Sequence, residues 1–558
     1  MITRYLKSLF LAAGAAAMAA TAVPAAGPPP LALDWATVAN NNDKMPGAPF
    51  GRTFNSYNQP SVNAAGLVVI RARSTGGGGQ PATHGIYTRD MSESGSPIVR
   101  ILDRTTPQVP YPNNLGTIFV ETPSFPRIDI GSDTVATRGN HGPVWRYGSQ
   151  DDETRVGTTG IYANPFGELI TGASKLGAVD GFDFFEVPGA APWTMFDVFP
   201  GSPSVTNGRT IVFKGNYTVQ GQGKTGVFYR DLENAEAGGI SPVMLIANNT
   251  DTFIPGTRKV FGSTSPPSAA DGKAVFAGFD NEENPTLGGI YLANLNNVKK
   301  LDPLVRIGSK VPGAPGYVFN RLGEGVAFDG TKVGFWGAWG TETTTVKLYC
   351  PTEGNKNRIA YCNQELVCAG TGEKLGDPNS VCDETGCYQE KQVPVRQGIF
   401  VHDTDRRGDT RMVAATGEAF DDFVFWNYSG MPPCMGIGGH GEEGGEDDGE
   451  PARWRSSSFV AVSGPYTAFK AKAGDVVGIY IESATERTIW TVLDTAMYGP
   501  ALDPEAPAGS IITEVGLERE GLRGDWLAVN AKMGIEGGSE EEGMAGIYLT
   551  HVPIPPPR

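Results

Sequence analysis

The sequence predicts an all-β fold built from seven copies of one four-stranded unit, and three observations lead to that prediction. The chain has 75 glycines and 42 prolines but only 19% charged residues, which is typical of short strands joined by tight turns. No region shows sustained apolar periodicity of 3.6 residues, so we expect almost no helix. The third observation is a marker, Gly-[Ile/Val]-[Tyr/Phe], that opens a predicted strand and begins at Gly85, Gly160, Gly226, Gly289, Gly398, Gly478 and Gly546.

Each marker follows a predicted two-stranded hairpin. The clearest hairpins begin at Pro60-Ser61, Pro203-Ser204 and Pro267-Ser268, and their turns carry Asn, Asp or Gly where a positive φ is needed. A fourth strand is predicted after each of the first six markers, at 99–102, 168–171, 243–246, 304–307, 412–415 and 490–493. Four-stranded sheets must stack on neighbours to bury both faces, so the sequence predicts a single seven-bladed β-propeller.

The two ends of the chain complement each other in this scheme. Only ten residues follow the seventh marker, too few for a further strand and closure. A strand-like segment, Trp35 to Ala39, precedes the first hairpin instead. We therefore predict that the N-terminal strand closes the last blade.

The predicted domain organisation is simple. Residues 1–22 have the composition of a secretory signal peptide, with basic Arg4 and Lys7, an apolar run and an A-x-A site at Ala20 to Ala22. A Pro-rich linker (23–34), the propeller (35–552) and a Pro-rich tail (553–558) follow. The protein is thus expected to be secreted, extracellular or periplasmic.

Charge excludes some partners. The net charge is −16, and about −18 once Arg4 and Lys7 are removed, so nucleic acid and anionic membrane surfaces would be repelled. No segment is long and apolar enough to insert into a membrane. We expect a monomer whose ligand is an extracellular polymer or protein.

The repeat resembles a family of secreted bacterial tandem-repeat proteins, predicted propellers of unassigned function that often carry a choice of C-terminal sorting anchors. The likeness lies in the Pro-Ser-x-Asn-x-x-Gly hairpins, the Gly-Ile-Phe/Tyr markers and the Pro-Gly turns at Ile307 to Gly313 and Met45 to Gly47. It covers nearly the whole chain after residue 22 and implies a fold but no active site. Val552 to Arg558 does not resemble such an anchor, so surface anchoring is not expected.

Large insertions are predicted on one face only. They span 140–158, 174–196, 341–397 and 421–456, and all lie in connections that leave one face of a propeller. One-sided elaboration of a repeat scaffold is typical of a binding surface.

The insertion at 341–397 is Cys-rich. Cys350, Cys362, Cys368, Cys382 and Cys387 lie in it, and Cys434 lies in the next long connection on the same face. Three disulfides are predicted, with Cys434 stapling its loop to the insertion, while the pairing stays open among 15 connectivities. A metal site is disfavoured because the insertion has no Cys-x-x-Cys pair and no histidine.

An acidic Gly-rich loop occupies residues 436–450. Its carboxylates, Glu446, Asp447 and Asp448 among them, could ligate Ca²⁺ weakly. The alternative, a solvated loop, is favoured because glycines oppose preorganisation. No other cofactor is expected.

Candidate site residues cluster on the elaborated face. Trp145, Arg146, Trp193 and Trp454 are the predicted ligand-binding residues, since aromatic rings and guanidinium forks suit a planar or sugar-like anion. His141, Arg146 and Tyr147 are the catalytic candidates, although packing of His141 in a loop is the favoured alternative. Two hypotheses follow: a secreted binding protein, which we favour, or a propeller-fold polysaccharide lyase or glycosidase. An enzyme would require an acid, a base and a cation to converge within a few ångströms.

Overall fold

The structure is a computed structural model of the 558-residue chain. It describes residues 27–48, 51–76, 82–111, 113, 117–142, 145–147, 154–156, 159–233, 241–298, 300–352, 354–368, 371–405, 409–417, 419–434, 451–535, 537 and 543–553, without the side chains of 145–147 and 154–156. The predicted signal peptide lies outside these residues. In the described part of the chain, no helix is long and apolar enough to cross a membrane.

Seven of the sheets in the described part of the chain, numbered 1 to 7 here, share one antiparallel strand order. Sheet 1 contains Phe54–Tyr57, Ser61–Val62, Leu67–Ser74, His84–Asp90 and Val99–Asp103. Sheet 2 contains Ile118–Glu121, Arg127–Ile128, Val135–Gly142, Thr159–Ala163 and Ile170–Ser174. Sheet 3 contains Phe196–Val198, Ser204–Thr206, Thr210–Val219, Gln222–Asp231 and Met244–Asn248. Sheet 4 contains Ser263–Thr264, Ser268–Ala270, Lys273–Phe279, Gly288–Asn294 and Leu301–Arg306.

The remaining sheets follow the same order. Sheet 5 contains Phe319–Leu322, Ala327–Phe328, Lys332–Trp339, Gln397–Asp403 and Asp409–Ala415. Sheet 6 contains Val460–Ser463, Tyr466–Ala473, Val476–Ser483 and Ile489–Asp494. Sheet 7 contains Ile511–Gly516, Leu522–Arg523, Trp526–Gly534, Met544–His551 and the N-terminal Trp35–Asn40, which pairs with Met544–His551.

The predicted all-β class is confirmed, with two differences in detail. The first strand is split into two pieces in every sheet but sheet 6, and both pieces pair with the second strand. Short helices also occur where almost none was expected, at Lys175–Ala178, Asp183–Phe185, Lys356–Cys362 and Gly499–Leu502. All of them lie in connections rather than in the sheets, so the sheet pattern is unaffected.

The marker glycines sit where the third strand meets a bulge in the fourth. The register shifts directly after the second marker residue, for example between Ile86 and Tyr87. A Cβ at Gly85 would lie 2.3 Å from the Leu102 carbonyl oxygen, and one at Gly289 would lie 2.0 Å from that of Val305. Only glycine permits this approach.

The aromatic residue of the marker packs edge-on against an aromatic residue that precedes or belongs to the first strand. The pair Phe54 and Tyr87 in sheet 1 has ring centroids 5.2 Å apart, and Phe319 and Phe400 in sheet 5 are 4.8 Å apart. The same arrangement occurs in sheets 2, 3, 4 and 6. This edge-to-face geometry is favourable for aromatic rings, which explains why the marker requires Tyr or Phe.

Buried apolar clusters lie between each sheet and the next. A further cluster joins sheet 7 to sheet 1 through residues such as Ala528 and Ile547 on one side and Val68 and Ile70 on the other. Both faces of the sheets are therefore buried against neighbours, as expected from near-continuous apolar second strands.

The Pro-Ser motif links neighbouring sheets. Ser61 Oγ donates to the Pro126 carbonyl at 3.0 Å, and Ser204 Oγ donates to the Pro267 carbonyl at 3.1 Å. Arg127 occupies the matching place in sheet 2, opposite Ala136 as Ser61 is opposite Val69. Its guanidinium pairs with Glu518 and lies 3.0 Å from Glu520 Oε1.

Residues 518–523 of sheet 7 form a charged segment that contacts the short first-strand pieces of the other sheets. With Arg127, its Glu518, Arg519, Glu520 and Arg523 form a buried cluster that we call the hub. Burial lowers the pKa of Arg519 to about 10, so it stays charged at neutral pH. The segment bonds or pairs with one residue in each of the other six sheets: Val62, Arg127, Ser204, Ser268, Phe328 and Val462.

Candidate functional site

The longest connections leave the sheets at one end. Because the strands are antiparallel, the connection between the second and third strands leaves from the same end as the connection to the next sheet. We call this the loop-bearing end; its larger described segments are 104–111, 175–195, 249–262, 307–318, 343–352, 371–394, 419–434, 451–459 and 495–510. The opposite end carries the remaining turns, such as 164–169 and 207–209. The four insertions predicted from sequence belong to the loop-bearing end.

Exposed aromatic side chains concentrate at this end. Among the described residues, six aromatic residues are strongly exposed, and five of them lie in connections of the loop-bearing end: Tyr111, Trp193, Phe253, Tyr349 and Tyr498. The sixth, Phe166, lies in a turn of the opposite end. Aromatic residues are enriched at interfaces because they offer a large contact area at low entropic cost.

Three disulfides stabilise part of the loop-bearing end. They join Cys350 to Cys362, Cys368 to Cys434 and Cys382 to Cys387, so the three predicted disulfides are confirmed. The predicted staple of Cys434 to the insertion is the Cys368–Cys434 bond. We call the two parts joined in this way the cap. The first part is the insertion, with the sheet of Thr343–Tyr349, Val381–Asp383 and Gly386–Pro394, the helix Lys356–Cys362 and the hairpin of Leu366–Val367 and Lys374–Leu375. The second part is the hairpin of Phe425–Ser429 and Arg453–Ser457.

A buried carboxylate fixes the two parts of the cap. Asp377 Oδ2 accepts a 2.6 Å hydrogen bond from the Tyr428 hydroxyl and a 2.8 Å bond from Gln389 Nε2. Burial and the neighbouring Asp377 raise the pKa of Tyr428, so its hydroxyl remains a donor. The Trp454 ring lies 5.4 Å from that of Tyr428 and packs against the disulfide-bonded core of the cap.

The structure places the predicted ligand-binding residues in different surroundings. Trp454 packs within the cap, whereas Trp193 lies exposed in the connection after sheet 2, with its backbone N–H donating to Glu186. Trp145 and Arg146 lie in a short strand, Trp145–Tyr147, that pairs with Thr154–Val156. The side chains of Trp145, Arg146 and Tyr147 are outside the described residues, as are Glu446, Asp447 and Asp448.

His141 lies in a strand rather than in a loop. It belongs to Val135–Gly142 and is buried beside Phe119 and Tyr162, whose rings it meets edge-on. Its Nε2 is 3.2 Å from Asn113 Nδ2. Burial lowers its pKa to about 3, so it is neutral and packed at physiological pH.

A different group of charged residues converges at the loop-bearing end of sheets 1 and 2. We call it the Arg73 site; it comprises Arg71, Arg73, His84, Arg104 and Glu121. Arg73 and His84 are directly opposed on neighbouring strands. Glu121 is the last residue of Ile118–Glu121, the first of the two pieces of the first strand in sheet 2. Its carboxylate lies against Arg73 and His84.

Glu121 holds the site together. Its Oε1 lies 2.5 Å from Arg71 Nη2 and 3.2 Å from Arg73 Nη2, and its Oε2 lies 3.7 Å from His84 Nε2. Arg71 is fully buried and also donates to the Asn58 side chain and the Thr122 carbonyl. Arg71 is thus fixed, while the Arg73 side chain remains 41% exposed.

Burial and charge set the protonation of the site. Burial lowers the pKa of His84 to about 4; Glu121 opposes this shift, and Arg73, Arg71 and Arg104 reinforce it. Burial raises the pKa of Glu121, but Arg71, His84 and Arg73 together bring it below its usual value. At neutral pH the site therefore combines a neutral imidazole, one carboxylate and three guanidinium groups.

Three buried polar atoms in and beside this site have no hydrogen-bond partner among the described residues. They are Arg73 Nε, His84 Nδ1 and Thr122 Oγ1. Buried polar atoms are nearly always satisfied by protein, water or ligand. A cation excess with open donors suits an anionic ligand.

No residue of this site was singled out from the sequence. The available signal was Arg71-Ala72-Arg73, two cations at alternate positions of an otherwise apolar strand. Charges in such a strand are seldom buried unless they are paired. Their partner, Glu121, is distant in sequence and could not be identified from spacing.

No metal centre is evident in the part of the chain that the structure describes. No group of three or more His, Cys, Asp or Glu side chains there is arranged to hold an ion.

Comparisons with known proteins give only a likeness of fold. No protein-family model matches the chain, and no curated protein matches its sequence. The chain is similar to the β-propeller domain of the Trilobed protease from Pyrococcus furiosus, with a TM-score of 0.38, 9% identity, and 89% of this chain and 94% of that one covered.

Two further solved structures are similar to a comparable degree. An oligogalacturonate lyase in complex with manganese gives a TM-score of 0.37 at 9% identity, with 95% of this chain and 98% of that one covered. Polysaccharide lyase Uly1 gives 0.38 at 9% identity, with coverages of 92% and 94%. The neighbours are propeller proteins, and at these TM-scores the likeness carries no argument about activity.

Proposed function

We propose that this protein is an extracellular binding protein whose loop-bearing end is the binding surface of a closed, seven-bladed propeller. The single observation that carries this proposal is the distribution of exposed aromatic residues. Five of the six among the described residues are at the loop-bearing end. Exposed aromatic rings at one end of a propeller favour an interaction surface there.

The closed ring is supported by three observations from different parts of the molecule. Apolar clusters lie between successive sheets and between sheet 7 and sheet 1. Trp35–Asn40 pairs with Met544–His551 in the manner predicted from sequence. The hub segment, 518–523, reaches one residue in every other sheet, as a segment near a central axis would.

The rigidity of the cap favours a role in binding over that of an insertion without function. A disulfide joins residues 66 apart, and the Asp377 hydrogen bonds fix the insertion to the neighbouring hairpin. A preorganised surface loses less conformational entropy on binding than mobile loops do. Disulfides also fit an oxidising compartment, in agreement with the predicted signal peptide.

A carbohydrate-active enzyme is the second candidate, and the Arg73 site is the observation that favours it. The Glu121 carboxylate oxygens lie within 2.5 to 3.7 Å of two guanidinium groups and a neutral imidazole there. That convergence was the feature expected of an enzyme. New reducing ends released from polygalacturonate or alginate, and lost in His84→Asn, would favour this candidate over the first.

Hydroxyl-radical footprinting tests the proposed binding surface. The purified protein would be labelled alone and with polygalacturonate, alginate or hyaluronate, each with Ca²⁺ or with a chelator. We expect protection of Trp193, Tyr349 or other exposed aromatic residues at the loop-bearing end, while Phe166 is labelled equally in all samples. Protection of Phe166 alone, or of no residue with any polymer, would reject the proposal.

A further inference from the structure

We propose that the Arg73 site binds the carboxylate of a small organic acid. The inference rests on the proposed function, since it takes the loop-bearing end as the binding surface and names the ligand chemistry that one part of it recognises.

The geometry separates a fixed cation from an available one. Arg71 is held by Glu121, Asn58 and the Thr122 carbonyl, so its place does not depend on a ligand. Arg73 touches Glu121 only through Nη2, at 3.2 Å, and its side chain is 41% exposed. An arginine fork can hold a carboxylate through two parallel N–H···O bonds, with Nε as one of the donors.

Unsatisfied atoms point to the same place. Arg73 Nε and His84 Nδ1 have no hydrogen-bond partner among the described residues, although both are buried. The two residues are cross-strand neighbours, so their open polar atoms belong to the same part of the sheet. Leaving such groups unpaired is unfavourable, and a bound carboxylate would satisfy at least the guanidinium.

Local charge favours an anion, and overall charge limits its size. Arg71 and Arg73 both pair with the carboxylate of Glu121, and Arg104 adds a third positive charge beside His84. The whole chain carries a net charge of −16, which repels an extended polyanion unless Ca²⁺ bridges the two. A compact ligand with one carboxylate is attracted by the local excess of cations and extends over little of the negatively charged surface around it.

Saturation-transfer NMR on the full-length protein tests the inference. The probes are acetate, D-galacturonate and N-acetylglycine, with the methyl ester of galacturonate as the uncharged control. We expect at least one acid to bind the wild type, the ester to give no signal, and Arg73→Gln to weaken binding about 10-fold or more, as for loss of a charged hydrogen bond. Preference between the two larger acids distinguishes a sugar acid from a peptide terminus.

Arg209→Gln is the matched control. Its side chain is 44% exposed and lies near two carboxylates, at 3.4 Å from Asp231 and from Glu233, but at the opposite end. The Arg209→Gln variant should bind the acids like the wild type. Arg73→Lys keeps the charge but loses the guanidinium fork, so its affinity for the acids should fall between those of Arg73→Gln and the wild type.

Two outcomes would overturn the inference: no acid binds the wild type, or Arg73→Gln binds as tightly as the wild type. Footprinting separates the two proposals. Protection of the loop-bearing end without acid binding would reject the carboxylate site and keep the binding surface. Acid binding without such protection would keep the carboxylate site and reject the proposed binding surface.

Discussion

The hub and the Arg73 site are both built from arginine and glutamate, yet their surroundings differ. In the hub, Arg127, Arg519 and Arg523 are buried with Glu518 and Glu520. Asp129 and Asp329 also lie close enough to act on Arg523. In the Arg73 site, Arg71 and Arg73 share one carboxylate, Arg104 adds a positive charge beside His84, and Arg73 is partly exposed.

The difference shows that charge balance and access, more than residue type, separate a structural cluster from a candidate binding site. Buried ions are costly unless they are paired, and the hub offers four carboxylates and several backbone carbonyls to its three cations. The Arg73 site leaves an excess of cations at a surface.

Breaking the hub should have the largest effect. Glu520→Gln removes a carboxylate that pairs with Arg127 and accepts from Ser204 and Ser268. We expect the free energy of unfolding to fall by about 3–5 kcal/mol, because a buried guanidinium loses a partner. Urea unfolding followed by intrinsic fluorescence would measure it.

Glu514→Gln is the control for this change. Glu514 is half exposed and pairs with Lys532 at 2.8 Å, so we expect a loss of about 0–1 kcal/mol. Equal losses in the two variants would show that the hub contributes no more than a surface ion pair.

Opening the cap should have a smaller and more local effect. The double variant Cys368→Ser/Cys434→Ser removes the disulfide between the insertion and its neighbouring hairpin. A lost disulfide typically costs about 2–4 kcal/mol. Hydrogen exchange should increase in residues 343–394 and 451–457 and stay unchanged in the second strands of sheets 1 and 2. Faster exchange throughout the molecule would mean that the cap and the hub are not separable.

Acid should destabilise the protein partly through His84. Its pKa is lowered from 6.5 to about 4 by burial and the nearby guanidinium groups, so only the unfolded chain is protonated between these values. Stability therefore falls as pH decreases from about 6.5 to 4, by up to about 1.4 kcal/mol per pH unit for this one group.

The variant His84→Asn isolates that contribution. Its unfolding free energy, measured from pH 4 to 6.5, should depend less steeply on pH by about one proton. His141, with a pKa lowered to about 3, contributes separately and remains in this variant. An unchanged slope would mean that His84 is not held neutral in the folded protein.

Arg73→Gln should have the smallest effect on stability. The Arg73 side chain is partly exposed and Arg71 still neutralises Glu121, so we expect a loss of about 0–1 kcal/mol in urea unfolding. A loss as large as that of Glu520→Gln would place Arg73 among the structural ion pairs and remove the contrast between the two clusters.

Sequence alone predicts the sheet pattern because the pattern is local. The glycine of each marker is needed at a bulge within its own sheet, and in sheets 1 to 6 the Tyr or Phe of the marker packs on a ring close by, so the marker recurs along the chain. The disulfides could be predicted in number but not in pairing, because spacing does not determine which loops meet.

Both charged clusters escaped prediction for a shared reason. The hub joins Arg127 to residues almost 400 positions later, and the Arg73 site joins residues of two sheets across 50 positions. Such contacts depend on how the sheets stack. The run Glu518-Arg519-Glu520, which lies between the apolar residues Leu517 and Leu522, was nevertheless a visible signal of buried charge.

The most direct test of the contrast is anomalous diffraction from crystals soaked in 4-bromobenzoate, with data collected at the bromine edge. The account predicts a bromine peak beside the Arg73 site, with the carboxylate on the Arg73 guanidinium, and no peak at the hub in the same crystal. An adventitious additive only, seen as bromine peaks at crystal contacts or at the opposite end with none near Arg73, would contradict it.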